Sequence, residues 1–290
     1  MLLYPDSKDL INLIARDEPV SPVDLAQTLR QRDTELVLSW SNVIETVTFR
    51  ERNIRLTRHR AELLQQLPHR YILALPPLIR TEFRAAYAAF EANNPQRAAI
   101  DPFVHKWHQV LRDPGQRHVL DPYINYEFSD QIVQLVFNNP EVGRNTDGET
   151  SFYKNEVATD RQHPAAVRHS AHWFRAAILQ TLINTGLRLP PQTFDEFCTF
   201  LEGNPAVCPG WLLFHEAYGD FCDNVQDLGQ RGDSPDFSHI ITSPYVDAVI
   251  LDRRMAGYAR AASRRLAHET GLGQFDEAKV FTTLEDWINH

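Results

Sequence analysis

Short apolar runs alternate with amphipathic segments at both ends of this 290-residue chain, and this rhythm constrains the fold more than any other feature. Residues 1–48 predict strand, two helices, strand and helix, with the strands over Leu2–Tyr4 and Glu35–Ser39. Residues 231–290 return to the same rhythm, with a strand over Val246–Leu251. Such alternation is typical of a mainly parallel sheet between two layers of helices. The sequence therefore predicts a three-layer α/β/α fold.

The middle of the chain has a different character, because amphipathic helices dominate it and proline-containing breaks separate them. The predicted helices are Ile54–Leu67, Leu78–Glu91, Phe103–Leu111, Tyr126–Phe137, Ala165–Thr185, Phe194–Leu201 and Trp211–Val225. The best strand candidate in this part is Tyr71–Leu75. We therefore expect an α/β core made of residues 1–48 and 231–290, and a large α-helical insertion, 49–230, packed on that core.

Charge and composition exclude several classes of protein. The net charge of −9 argues against a surface coated with basic residues for nonspecific nucleic-acid binding. No run approaches the 18 apolar residues that a membrane-spanning helix needs, and the first residues do not resemble a signal peptide. The three cysteines are expected to be buried free thiols in a reducing compartment. These features predict a cytoplasmic protein with no membrane partner.

Four acids stand at or near the ends of apolar runs: Asp6, Glu45, Asp236 and Asp252. Parallel strands deliver their carboxyl ends to one edge of a sheet, so these acids can converge there even though they are far apart in the chain. A group of carboxylates needs a cation to neutralise it, and Mg²⁺ and Mn²⁺ prefer oxygen ligands. Such ions drive the hydrolysis of phosphodiesters.

Each acid also has a structural interpretation. Asp6, Asp236 and Asp252 stand where a helix N-cap is expected, and a nearby arginine could pair with Glu45. Asp247 is a further acid that strand alternation turns away from Asp252. The presence of all four acids in comparable local contexts favours a metal site over three separate caps and one ion pair.

The order of these acids and their local contexts resemble the PIN-like domain nucleases, a family that includes bacterial toxin ribonucleases and is related to flap endonucleases. The segments that carry the resemblance are Tyr4-Pro-Asp-Ser-Lys-Asp-Leu-Ile-Asn12, Ser41-Asn-Val-Ile-Glu45, Asp236-Phe-Ser-His239 and Val249-Ile-Leu-Asp252. They lie in about a third of the chain. Lys8 departs from the family pattern, because an asparagine usually stands at that position.

The resemblance implies an endonuclease that uses Mg²⁺ or Mn²⁺ bound by Asp6, Glu45, Asp236 and Asp252. It implies RNA more than DNA as the substrate, and a role as a toxin or antiviral-defence effector is compatible with it. Lys8 favours the alternative of a catalytically degenerate PIN-like protein that acts as a binding module. In either case the helical insertion could bind a protein partner, and the chain could form an oligomer.

Basic residues beside the acids are the candidates for binding the substrate. Arg50 and Arg52 follow Glu45, and Arg253 and Arg254 follow Asp252 directly. Guanidinium groups suit phosphate oxygens, so we expect these arginines to contact the backbone of a nucleic acid. The alternative is that they form solvated helix faces.

Two further side chains complete the predicted substrate site. Lys8 could contact a phosphate, and His239 could contact a phosphate or an active-site carboxylate. A position in the core is the favoured interpretation for His239.

Overall fold

The computed structural model describes residues 1–15, 21–47, 53–112, 126–138, 155–227, 233–270 and 279–290. Within these ranges the chain forms one mainly parallel six-stranded sheet with helices on both faces, so the predicted α/β class and three layers are confirmed. Its strands are β1 (Leu2–Tyr4), β2 (Glu35–Leu38), β3 (His69–Ile72), β4 (Phe103–Val104), β5 (Ala248–Ile250) and β6 (Val280–Phe281). Their order is β4-β3-β2-β1-β5-β6, and β4 alone is antiparallel to its neighbour.

Helices connect these strands and supply most of the described residues. They are α1 (Ser7–Ala15), α2 (Pro22–Gln31), α3 (Trp40–Val47), α4 (Ile54–Gln66), α5 (Leu75–Glu91), α6 (Phe128–Asn138), α7 (Ala165–Arg168), α8 (Ala171–Thr185), α9 (Phe194–Gly203), α10 (Pro209–Asp223), α11 (Asp233–Thr242), α12 (Arg253–Thr270) and α13 (Leu284–Asn289). Residues 155–160 are also helical. None of the described helices is long and apolar enough to cross a bilayer.

The pleat of the sheet divides the core into two clusters. Leu3, Leu36 and Ile250 face the first cluster, which α1, α2, α3, α4, α6 and α13 cover. Their neighbours along the strands, including Tyr4 and Val249, face the second cluster, which α5 and α8 to α12 cover. Successive strand residues point to opposite faces, so short strands that are apolar throughout must be buried on both sides. All three cysteines are buried free thiols, as expected.

Segment 49–230 contributes to the sheet itself. Both β3 and β4 come from this segment, and β3 pairs in parallel with β2 over Leu36–Leu38. The predicted boundary after residue 48 therefore does not coincide with an edge of the sheet. The division into a core and an insertion stays a prediction, but the two parts share one sheet and both hydrophobic clusters.

The sequence prediction was wrong at two helices. Phe103–Leu111 was expected to be helical, but it forms β4 and a short 3₁₀ turn over Trp107–Gln109. The pairing of this segment with β3, through Tyr71 opposite Val104, overrides its helical periodicity. Ala165–Thr185 was expected to be one helix, but it divides into α7 and α8 at Ser170. The Ser170 hydroxyl accepts the backbone N–H of Trp173 at 3.2 Å and so begins a new helix.

Candidate functional site

Asp6 lies at the carboxyl end of β1. Pro5 follows the strand, and α1 begins directly after Asp6. The Asp6 carboxylate accepts the backbone N–H of Lys8 at 3.1 Å through Oδ1, and the Asp6 carbonyl accepts that of Leu10. Asp6 is thus the N-cap of α1 and is only 9% exposed. No described residue bonds to its second carboxylate oxygen, Oδ2, so this oxygen can serve a ligand.

Asp252 occupies the corresponding place after β5. Its Oδ1 accepts the backbone N–H groups of Arg254 and Met255 at 2.7 and 3.0 Å, which makes it the N-cap of α12. Its Oδ2 is likewise without a partner in the part of the chain that the structure describes. Both acids therefore cap a helix, as the structural interpretation predicted, and each keeps one oxygen available.

The sheet brings these two acids to one crevice. Strands β1 and β5 are parallel neighbours, with Tyr4 opposite Val249, so Asp6 and Asp252 both lie just beyond the carboxyl ends. The strand order reverses here, because the chain runs from β1 outward to β4 on one side and from β5 to β6 on the other. In open α/β sheets ligands bind outside the carboxyl ends of the strands at such a switch point. The two acids are therefore where a ligand site is expected.

A buried hydrogen-bond network holds this edge together. The Tyr4 hydroxyl lies 2.8 Å from Ser39 Oγ and 2.6 Å from His239 Nδ1. Ser39 donates to Asn42 Oδ1, and Asn42 Nδ2 donates to the carbonyl of Pro5 at 2.9 Å. The network thus links the ends of β1 and β2 with α3 and α11.

Glu45 and Asp236 lie on two helices, α3 and α11, that contact this edge of the sheet. Glu45 lies on α3 and is partly exposed. Burial, and then the charges of Glu45 and Asp6, raise the pKa of the Tyr4 hydroxyl, so both acids lie within electrostatic reach of it. Asp236 is partly exposed in the first turn of α11, which begins at Asp233 rather than at Asp236 as expected. His239, on the same helix, contacts Tyr4 and so attaches α11 to the sheet edge.

The donor chemistry at this edge suits a hard divalent cation, because the Oδ2 atoms of Asp6 and Asp252 accept no bond from the described residues and Glu45 adds a third carboxylate near Tyr4. Their arrangement does not make a ready ligand set, however. Among the described residues no group of three or more His, Cys, Asp or Glu side chains is placed to hold a metal ion. The carboxylates are therefore suitable ligands for a divalent metal, but the described side chains are not arranged around a common metal position.

The predicted basic residues have different environments. Lys8 is exposed in the first turn of α1, beside Asp6, and Arg253 is exposed at the start of α12. Arg254 is instead ion-paired with Asp227 at 3.0 Å, so it is engaged within the chain rather than held out for a phosphate. Arg50 and Arg52 lie outside the described residues, and their predicted role stays a prediction.

The structure assigns structural positions to His239 and Asp247, for which the sequence allowed either a role in the site or a structural role. His239 is 1% exposed and packs in the core, which was the favoured interpretation, so its ring does not face a substrate in this structure. Asp247 accepts the backbone N–H of Leu2 at 2.7 Å. This bond is at the amino end of β1, so Asp247 is not part of the acid group.

A cavity of about 320 Å³ opens beside the network. Tyr4, Ser39, Leu75, Ser238 and Thr242 contribute to its wall, so it lies between the ends of β1 and β2 and the helices α5 and α11. Its size falls at the lower end of the range for small-molecule sites. The sheet edge therefore offers both acids and a concave surface.

Sequence reasoning missed Tyr4, Ser39 and Asn42. A signal for two of them was present: Ser39 and Asn42 form a reciprocal cap at the start of α3, in which each side chain accepts the backbone N–H of the other. The contact of Tyr4 with His239 joins residues 235 positions apart. No local pattern predicts such a contact.

Comparisons with protein-family models, with curated proteins and with solved structures found no match for this chain. The resemblance to PIN-like nucleases therefore depends on the acids and the motifs alone.

Proposed function

We propose that the chain is a divalent-metal-dependent endonuclease of the PIN-like type, with RNA favoured over DNA as the substrate. The observation that carries the proposal is the position of Asp6 and Asp252 at the ends of two neighbouring parallel strands where the strand order reverses. Glu45, within electrostatic reach of Tyr4 beside Asp6, adds a third carboxylate to this edge.

Asp6, Glu45, Asp236 and Asp252 are the residues that would hold Mg²⁺ or Mn²⁺. When bound, the ion would neutralise the carboxylates and lower the pKa of water at the scissile phosphate. Because the described side chains are not preassembled, we expect binding to be accompanied by side-chain movement. The free Oδ2 atoms of Asp6 and Asp252 allow this without loss of either helix cap.

The chain itself has two tasks at this site. The buried network of Tyr4, Ser39 and Asn42 holds the Pro5 carbonyl, and so fixes the backbone from which Asp6 projects. The exposed ammonium of Lys8 and guanidinium of Arg253 provide positive charge for the phosphates on either side of the acids. Both features support a site for a polyanion.

Substitution of aspartate by asparagine tests the proposal sharply, because it separates the two roles of each acid. Asparagine is as good an N-cap as aspartate, so Asp6→Asn and Asp252→Asn should keep the helix starts but lose the anionic ligand. We expect Mn²⁺-dependent cleavage of single-stranded RNA to fall at least 100-fold in each variant, with little change in Tm.

The matched control is Asp247→Asn, which alters an acid at the opposite edge of the sheet and should cleave like the wild type. Chelation by EDTA should abolish wild-type cleavage. Cleavage that survives EDTA, or that is equal in the wild type and Asp6→Asn, would refute the metal mechanism.

The second candidate is a binding module with the same fold and no catalysis. Two observations favour it: no described group of side chains is ready for a metal, and Lys8 places a cation next to Asp6. Thermal unfolding discriminates between the candidates. Mn²⁺ at millimolar concentration should raise the Tm of the wild type but not that of Asp6→Asn if the acids bind metal. If Mn²⁺ leaves both melting temperatures unchanged while RNA still binds, the binding module is the better description.

A further inference from the structure

A second and larger cavity, of about 690 Å³, lies in the helical half of the molecule. It is bounded by α8, α10, α11 and the helical residues 155–160. Ligand sites for small organic groups have volumes of about 300–1,000 Å³, so this cavity is of suitable size. None of the acids of the sheet-edge site contributes to its wall.

The wall of this cavity combines aromatic rings with amide side chains. Trp173, Phe214 and Tyr218 contribute partly exposed rings, which offer flat apolar surface. Gln180 and Asn184 lie one turn apart on α8, and Gln180 Nε2 donates to Asn184 Oδ1 at 2.8 Å. Within the described part of the chain this leaves Gln180 Oε1 as an acceptor and Asn184 Nδ2 as a donor. A flat ring with polar edges complements such a wall.

The charge of the wall excludes an anionic occupant. None of its described residues is Lys or Arg, while Glu156 and Asp160 provide two carboxylates. Burial, and then the proximity of His169, lower the pKa of His215 to about 4, so this histidine is neutral at physiological pH. Glu156 is exposed, but partial desolvation at the cavity wall, and then the charge of Asp160, raise its pKa. The two carboxylates would repel a phosphate, whereas an amino group could donate a hydrogen bond to Glu156.

The two cavities are neighbours. Leu75 and Ser238 belong to the wall of both, so the larger, aromatic cavity is adjacent to the sheet-edge cavity that lies beside Tyr4. In an unpaired nucleic-acid strand the bases project away from the phosphates. A strand whose phosphates lie at the acids of the sheet edge can therefore place one base in the adjacent aromatic cavity.

We propose that the aromatic cavity binds one unpaired nucleobase of the substrate, and that Glu156 selects bases which carry an amino group. The ring would lie against Trp173 and its neighbours, since stacking on aromatic side chains is how proteins hold unpaired bases. A carboxylate accepts from the exocyclic amino groups of cytosine, adenine and guanine, whereas uracil has no amino group and offers a single ring N–H between two carbonyl oxygens that repel the carboxylate. This inference rests on the proposed function, because it takes the base from the nuclease substrate, but its test measures binding and does not require cleavage.

The probes are the four nucleosides, which carry no phosphate and require no metal. Titration into the full chain, followed by NMR or calorimetry, should show saturable binding of adenosine, cytidine and guanosine, and at least fivefold weaker binding of uridine. Trp173→Ala should weaken binding at least tenfold. Glu156→Gln, at an exposed position where the fold is not at risk, should reduce the preference over uridine to less than twofold.

The matched control is Glu196→Gln, an exposed glutamate on α9 outside the cavity, which should bind like the wild type. Absence of nucleoside binding would overturn the inference, as would equal binding of all four nucleosides. Binding of spermidine without nucleoside binding would also overturn the inference, and would indicate that the cavity binds an organic cation instead of a nucleobase.

The proposed function can fail separately. If Asp6→Asn keeps nucleoside binding and the wild type cleaves no RNA, the nuclease proposal fails while the base site stands. If the wild type cleaves RNA but binds no nucleoside, the base site fails alone.

Discussion

At the residue scale, single polar side chains hold the buried parts of this molecule in place. Ser39 illustrates this, because its hydroxyl accepts the N–H of Asn42, donates to Asn42 Oδ1 and bonds to Tyr4. Glu82 has the same function in the other cluster: its two carboxylate oxygens accept the N–H groups of Gly210 and Trp211, and it also bonds to Tyr245. Each is buried, so the loss of its bonds cannot be made good by water.

Ser39→Ala should destabilise the protein by about 1–3 kcal/mol, because it removes the buried hydrogen bonds that the Ser39 hydroxyl makes with the Tyr4 hydroxyl, with Asn42 Oδ1 and with the Asn42 backbone N–H. Ser41→Ala is the matched control: Ser41 is only two residues away, lines the same cavity and has no described hydrogen bond. Its free energy of unfolding should change by less than about 0.5 kcal/mol. Urea unfolding measures both. Equal effects would mean that the network contributes nothing to stability.

Glu82 should make stability depend on pH. Burial raises its pKa to about 7, while the bonds from Tyr245 and the two N–H groups oppose that shift. The folded state therefore keeps a proton that the unfolded state releases near pH 4.5. Stability should fall as pH rises from about 5 to 7, by at most about 1.4 kcal/mol per pH unit, and the contribution of Glu82 should then level off.

Comparison with Glu82→Gln isolates this contribution, because glutamine does not titrate. The variant should have a smaller decrease in its free energy of unfolding between pH 5 and 7 than the wild type. Glu62→Gln, on the exposed side of α4, should retain the wild-type slope. Identical slopes for the wild type and Glu82→Gln would show that Glu82 is already ionised at pH 5.

At the element scale, helix starts are the points where this fold is most tightly constrained. The first turn of α10 packs against Glu82 of α5 and against Ile241 of α11. A Cβ atom on Gly210 would lie 2.6 Å from the carbonyl oxygen of Ile241 and 2.8 Å from Glu82 Oε1. Only a residue without a side chain permits this approach.

Gly210→Ala should therefore destabilise the fold by about 1–3 kcal/mol, since backbone atoms of α11 must move to make room. Gly257→Ala is the matched change inside α12, where nothing lies within 4 Å of the added carbon. It should stabilise the protein by about 0.5–1 kcal/mol, because alanine is the better helix former. Thermal unfolding of the two variants should give shifts of opposite sign, and shifts of the same sign would contradict the packing of α10 on α11.

The elements differ in how well sequence reasoning predicts them. Helices with an apolar face and a local side-chain cap, such as α2 and α4, follow from the local sequence. Segment Phe103–Leu111 could not be predicted, because its conformation depends on pairing with β3 and on the stacking of Trp107 against Trp40. The positions of Asp6 and Asp252 just after β1 and β5 could be predicted because strand ends are visible in sequence, whereas the contact of Tyr4 depends on a partner 235 residues away.

At the scale of the whole molecule, the sheet contains strands from both predicted parts of the chain, the α/β core and the helical insertion. Its centre, β2-β1-β5, comes from the two ends of the chain, and β3 and β4 extend it with residues from the middle. The cluster on one face contains Tyr4 and Val249 from the ends together with Phe83, Phe197 and Trp211 from the middle. The described residues of segment 49–230 therefore belong to the same hydrophobic core as the two ends of the chain.

A shortened chain tests this view directly. Residues 1–48 joined to residues 231–290 by a flexible linker would retain the four acids and the strands β1, β2, β5 and β6. This chain would lose β3, which is one of the two strands that pair with β2, and the apolar side chains that α5, α8, α9 and α10 contribute to the cluster around Tyr4 and Val249. An unpaired edge and an uncovered apolar face make folding unfavourable and promote aggregation.

We therefore expect the shortened chain to unfold without a cooperative transition in urea and to give a narrow range of amide shifts by NMR, whereas the full chain in the same buffer should unfold cooperatively. A sigmoidal transition with dispersed amide signals would instead establish residues 1–48 and 231–290 as an independent core. The helical middle would then be a true insertion, and β3 and β4 would be additions to a sheet that can form without them.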